Sequence, residues 1–298
     1  MINTKYKDRL FTFIFGNAER KEWTLSLYNA VNGSSYTNPD DIMFMTMDDV
    51  LYMGMKNDLS FLVTDLANMY EQQSTYNPNM PVRKLMYAAR MYDRYIHLHK
   101  LNIYSTKQVR LPVPKLVTFY NGREDMEDSI LELKDAFLTE DGQPVDAESD
   151  IQVRVRMINI NYGKNKELMA ACRPLSDYAW FIAEIRRYSE TMDIETAIDS
   201  ALDNMPDDSK LKELLIANKA EVKQMCITEY NEAETIEKFK DEGRAEGRAE
   251  GRAEGRTETI FSCVYENDFT EQRGAQKLNL SIEQFREKYN YWLKMKKN

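Results

Sequence analysis

Asp58 and Glu71 lie thirteen positions apart, across a segment patterned as a β-hairpin. Apolar and polar residues alternate in LSFLV, residues 59–63, and again in LANMYEQQS, residues 66–74, with a turn expected at about 64–68. Antiparallel pairing about that turn brings Asp58 close to Gln73 and diagonally near Glu71. Glu71 and Gln73 share one face of the sheet, and Gln72 looks the other way. Two carboxylates meeting on one face form a hard oxygen site suited to Mg²⁺ or Mn²⁺, and the main-chain carbonyl of Gln72 offers a third oxygen. A cation held there lowers the pKa of a bound water and stabilises charge on phosphorus oxygens, the two effects that phosphodiester hydrolysis requires. Acid pairs at this spacing also occur on ordinary surface hairpins, so the surroundings must decide.

Those surroundings are basic. The whole chain carries a formal charge of -9, which argues against nucleic acid at first sight. Residues 82–123, however, hold nine Lys or Arg against the single acid Asp93, a local charge of +8. A field of that sign can face a phosphate backbone, with Arg83, Lys84, Arg90 and Arg94 as the candidate DNA contacts. An ordinary solvated basic helix face is the bland alternative. Other chemistry has few carriers. His97 and His99 are the only histidines and point to different sides of a helix, which leaves little room for a histidine triad. Cys172, Cys226 and Cys263 are widely spaced with no CxxC pair, so neither structural zinc nor a disulfide framework is expected. No run approaches the roughly eighteen apolar residues of a membrane span, and the amphipathic N-terminus lacks a signal cleavage pattern. The expectation is a cytoplasmic protein.

The elements that must position these residues follow from periodicity. Residues 6–33 show two short helical stripes separated near Gly16 and Asn17. After the hairpin and the loop STYNPNMP, residues 82–100 have helical spacing; 116–120 read as a buried strand and 150–160 as another. Tyr120, Asn121 and Gly122 close the former strand as a turn or as a floor to the site. Residues 174–240 are helical almost throughout, broken near 204–209. The fold class expected is α/β, a mixed sheet flanked by helices and followed by a helical C-terminal region. The boundaries are a core at 1–170, a helical region at 171–240, a repeat at 241–256 and a small module at 257–298.

The repeat, DEGRAEGRAEGRAEGR, recurs every four residues. As a helix it sets opposite charges two apart and like charges four apart, and each interior glycine costs about 1 kcal/mol relative to alanine. Such a helix is marginal alone and is helped by a second backbone along its small-residue stripe, which makes it a self-associating arm and the chain a homo-oligomer. A hydrated linker is the competing reading. In the last module two helices, 270–278 and 282–296, are joined at 279–281, where Ser281 and Gln284 form a capping-box pattern. This is either a helix-turn-helix reader of DNA or a plain helical hairpin.

Five segments together, YKDRLFTFIFG (6–16), LYNAVNGSSYT (27–37), YMGMKNDLSFLV (52–63), YEQQSTYNPNMPVR (70–83) and LPVPKLVTFYNG (111–122), with the EGR repeats, resemble the Rpn family of bacterial recombination-promoting nucleases and transposase-like proteins. That family is a branch of the PD-(D/E)XK phosphodiesterase superfamily. The resemblance covers most of residues 1–256 and is most specific at 71–83. It implies a restriction-endonuclease-like core and DNA cleavage by a divalent metal, in the setting of mobile elements, recombination or phage defence. It also implies roles: Asp58 matches the first metal-binding acid, Glu71 the second, and Gln73 the position usually held by a catalytic lysine. Asp8 is an additional ligand or orienter. Glutamine at 73 departs from the pattern, because an amide cannot supply positive charge, and Lys84 or Arg83 could reach back to do so.

Two other readings compete with a Mg²⁺-dependent endodeoxyribonuclease. One is a catalytically weak or inactive nuclease-like protein that binds DNA or assembles through the repeat; the other is a partner protein that binds no nucleic acid.

Overall fold

The computed structural model describes residues 10–45, 59–145 and 147–295. Two compact units, 1–233 and 234–298, divide the chain.

The first unit is an α/β structure built on a six-stranded mixed sheet of order β1-β2-β3-β4-β6-β5. The strands are β1 (Ile42–Phe44), β2 (Leu59–Val63), β3 (Leu66–Gln73), β4 (Val113–Tyr120), β5 (Ser129–Glu132) and β6 (Arg154–Asn159). β2 and β3 form the expected hairpin, but its turn is only Thr64-Asp65, with Val63 paired to Leu66 and Leu59 to Tyr70. Thr64 adopts φ 52, the left-handed conformation that a two-residue hairpin requires. The longer turn expected at 64–68 is therefore corrected, and the pairing shifts by two residues. β3, β4 and β6 run parallel, which puts Gln73, Tyr120 and Asn159 at one end of the sheet. Short β1 and β5 close the two edges by antiparallel pairing.

One face of the sheet is covered by α3 (Met80–Leu98), whose Tyr87 and Met91 pack on Leu62, Ala67 and Met69. Pro81 sits in the first turn of α3, where its missing N–H costs nothing. The other face carries α1 (Leu10–Phe15), α2 (Lys21–Asn32), α4 (Lys166–Ala171), α5 (Arg173–Ser189), α6 (Ile194–Asp203), α7 (Lys212–Ala217) and the start of α8 (Lys219–Tyr265). Phe11, Phe61, Tyr70, Phe119, Tyr178 and Cys226 belong to one continuous core on this side. The helices of residues 171–240, read from the sequence as a region of their own, thus share the core of the sheet up to Cys226. None of the helices in the described residues is long and apolar enough to cross a membrane.

In the second unit, the end of α8, α9 (Glu271–Leu278) and α10 (Ile282–Met295) bury Phe261, Val264, Ala275, Phe285 and Tyr289 together. The capping box is formed in both directions: Gln284 N donates to Ser281 Oγ at 3.2 Å and Ser281 N to Gln284 Oε1 at 3.1 Å. The repeat 241–256 is helical throughout, inside α8.

Candidate active site

Strand alternation fixes the local geometry. Met69, Glu71 and Gln73 face α3, whereas Tyr70 and Gln72 face the opposite core. Glu71 is 1 % exposed, and an ionised carboxylate so placed must find partners. They come from the first turns of α3. Arg83 Nη2 donates to Glu71 Oε1 at 2.5 Å, and Lys84 Nζ stands 3.5 Å from Glu71 Oε2. The lysine is wholly buried and also donates to the Met69 carbonyl at 3.1 Å. Gln73 Nε2 lies 3.3 Å from Glu71 Oε1 and 2.8 Å from Met80 Sδ. Arg83 is held from behind by the Tyr87 hydroxyl, 3.0 Å from its Nη2. Residues 71, 73, 83 and 84, picked out in the sequence separately as acid, amide and two cations, are thus one cluster.

Other candidates fall elsewhere. Lys84 is interior, so it meets Glu71 and offers no surface contact to a phosphate backbone. Arg90 is half-buried and Arg94 exposed, both further along α3. Asp58 and Asp8 lie outside the described residues.

Glu71 Oε2 is buried without a hydrogen-bond partner, Lys84 being an ion-pair neighbour only. An orphaned carboxylate oxygen of this kind is a fitting donor for a divalent cation. The Gln72 carbonyl is also suitably directed. The Asp65 and Gln73 carbonyls accept from Val113 N and Asn121 N, at 2.8 and 3.0 Å, so alternation turns that of Gln72 toward the β2 edge. Charge sets a further condition. Unit charges about 4 Å apart interact by about 4 kcal/mol at an effective dielectric near 20. One carboxylate already facing two cations cannot hold a divalent ion unless a second acid joins it. Among the described residues no group of three His, Cys, Asp or Glu is placed to do so.

A second polar chain, assembled from residues far apart in sequence, lies on the other face. Gln72 Nε2 donates to Asn121 Oδ1 at 2.6 Å, and Asn121 Nδ2 to the Tyr178 hydroxyl at 3.1 Å. Arg186 donates through Nη2 to the Asn121 carbonyl and through Nη1 to Asn161 Oδ1 at 3.0 Å. Burial raises the Tyr178 hydroxyl well above its ordinary pKa, keeping it a neutral partner. Of these, Asn121 stood out in the sequence as part of a turn and Gln72 for its main-chain carbonyl, whereas Asn161, Tyr178 and Arg186 did not. Gly122 follows it where a Cβ would meet the Ser74 carbonyl at 2.6 Å, so the chain can pass only as glycine.

Comparison with protein-family models, with curated proteins and with solved structures finds no match to this chain.

Proposed function

We propose that the chain is a metal-dependent DNA endonuclease with a PD-(D/E)XK-type core. The observation that carries this reading is the buried Glu71 at the end of β3, its Oε2 left without a hydrogen bond, beside Lys84 and Arg83. Asp58, Glu71 Oε2 and the Gln72 carbonyl would hold Mg²⁺ or Mn²⁺, which when bound supplies an activated water and charge stabilisation at phosphorus. The chain's own groups do the rest. Lys84, fixed by the Met69 carbonyl, supplies the positive charge that Gln73 cannot, next to the carboxylate where negative charge builds up. Gln73 orients a water through its amide. Arg83 sits on the solvent side of Glu71 and can contact an incoming phosphate, with Arg90 and Arg94 further along the same helix.

Plasmid cleavage across a Mg²⁺, Mn²⁺ and Ca²⁺ series tests this reading. Cutting should require Mg²⁺ or Mn²⁺ and vanish in folded Asp58→Ala and Glu71→Ala proteins; wild-type rates in both would remove the assigned site. One observation favours the second reading, a DNA-binding or assembly protein of nuclease ancestry. Arg83 and Lys84 already neutralise Glu71 without a metal. Salt-sensitive DNA binding with no cleavage under any metal would select it. Assembly through the helical repeat belongs to either reading.

A further inference from the structure

Beyond the ends of β4 and β6 lies a cleft of about 560 Å³ lined by Gly122, Arg123, Asn161, Lys164, Arg186 and Tyr230. The carboxyl ends of parallel strands are where open α/β sheets leave room for ligands, because adjacent loops part there. Glu71 faces the other side of the sheet, so this cleft is separate from the cluster described above.

Arg186 is the unusual member. Its hydrogen-bond partners are both neutral, Asn161 Oδ1 and the Asn121 carbonyl, and it makes no ion pair among the described residues. These two bonds use two of its five N–H groups. Burial pushes its guanidinium below the ordinary arginine pKa, with Arg123 adding to the shift and Tyr178, Tyr120 and Glu229 partly offsetting it. Glu124, Asp125 and Glu190 also line the cleft and Glu229 acts on Arg186 through space, but none of them is ion-paired with Arg186 among the described residues, and Glu124 is exposed. Lys164 holds Asp125 at 2.8 Å and Glu127 at 3.0 Å, and Glu190 is exposed. Arg123 stacks over the Tyr230 ring at 5.8 Å on the same wall and adds positive charge. A half-buried guanidinium whose hydrogen bonds go only to neutral oxygens suits a tetrahedral oxyanion.

We propose that this cleft binds a phosphate group, with Arg186 at its centre. The phosphate belongs either to a free nucleotide or to a nucleic-acid backbone, which present the same oxygens to the arginine. The proposal does not depend on the nuclease reading, since it requires neither metal nor Glu71.

The test is calorimetric titration of the full chain, free of divalent metal, with inorganic phosphate, a nucleoside 5′-monophosphate and a short oligonucleotide lacking terminal phosphates. Saturable binding is expected for at least one probe, weakened about tenfold or more in Arg186→Met. Because Arg186 also supports the Asn121 carbonyl, Ser189→Asp serves as a second variant. It places a carboxylate on the cleft wall one helical turn from Arg186 and should abolish binding while leaving the arginine in place. Binding of phosphate or the monophosphate identifies a free ligand, and binding of the oligonucleotide alone identifies a backbone phosphodiester. The proposal is overturned if no probe binds saturably, or if Ser189→Asp binds as tightly as the wild type.

Discussion

Lys84 Nζ stands 3.5 Å from Glu71 Oε2, with the lysine side chain wholly inside and the glutamate nearly so. Removing one member of a buried ion cluster leaves the other charge less well compensated, here with Arg83 still facing Glu71 Oε1, which costs more than the pair contributes relative to an apolar substitute. Lys84→Met should therefore destabilise the protein by about 3 kcal/mol in urea unfolding, and adding Glu71→Gln should recover part of that loss. A single-variant cost below about 0.5 kcal/mol, the range of ordinary surface changes, would show that the two do not act as an ion pair.

The same lysine carries a catalytic prediction. If Lys84 supplies the charge missing at position 73, Lys84→Met should lower plasmid cleavage by about a hundredfold or more, in the range of a lost transition-state donor. Gln73→Lys in that background should restore part of the rate. Gln73→Lys alone should not improve on wild type, because a second ammonium would face the first across Glu71. Rates indifferent to Lys84 would assign the charge to another group.

Glycines in the second unit should respond with opposite signs. A Cβ at Gly247, Gly251 or Gly255 meets nothing within 4 Å, so alanine there should stabilise α8 by up to about 1 kcal/mol each. At Gly274 a Cβ would come within 2.7 Å of the Phe285 ring, and Gly274→Ala should cost about 1–3 kcal/mol by overpacking. Thermal unfolding of the four variants reads both signs. A destabilising alanine in the repeat would instead mean that a second backbone presses on that stripe, as the self-association reading requires.

Thiol chemistry should sort the cysteines by depth. Cys172 and Cys226 are buried and Cys263 is half-buried. Burial pushes the Cys172 thiol up to about 11, and Cys226 is raised as well. Under mildly alkaline conditions a disulfide reagent should titrate Cys263 first and the other two only after denaturation. The unfolded chain releases those two protons near pH 9 while the folded chain keeps them, so stability should fall as pH rises above about 9. Three fast-reacting thiols in the native protein would contradict this placement.

Long alternating runs made much of the sheet legible in the sequence. β2, β3 and β6 showed as alternating runs and β4 as a short apolar run, although β3 and the second half of β4 are buried on both faces, and the 82–100 periodicity found α3 to within two residues at each end. β1 and β5 escaped because three and four residues, partly exposed, are too few to establish a period. The turn was read too long because Thr64 takes a left-handed conformation with no glycine or asparagine to announce it. Glu71 and Gln73 were singled out by their shared strand face, the basic stretch that follows and the family resemblance. The Arg83 and Lys84 contacts needed only the sequence nearness of α3 to β3. Arg186 and Tyr178 left no such trace, since both reach Asn121 from more than fifty positions away, a distance that local patterning does not span.

β3 serves two masters. Consecutive residues hand Glu71 to one layer of the molecule and Gln72 to the other, so the strand acts as a common axle for both polar clusters. Lengthening or shortening the Thr64-Asp65 turn by one residue, if β3 slid to absorb it, would exchange the two faces at once and put the glutamate among the aromatics around Tyr70. The residue count of β3, and of the two-residue turn before it, is therefore locked.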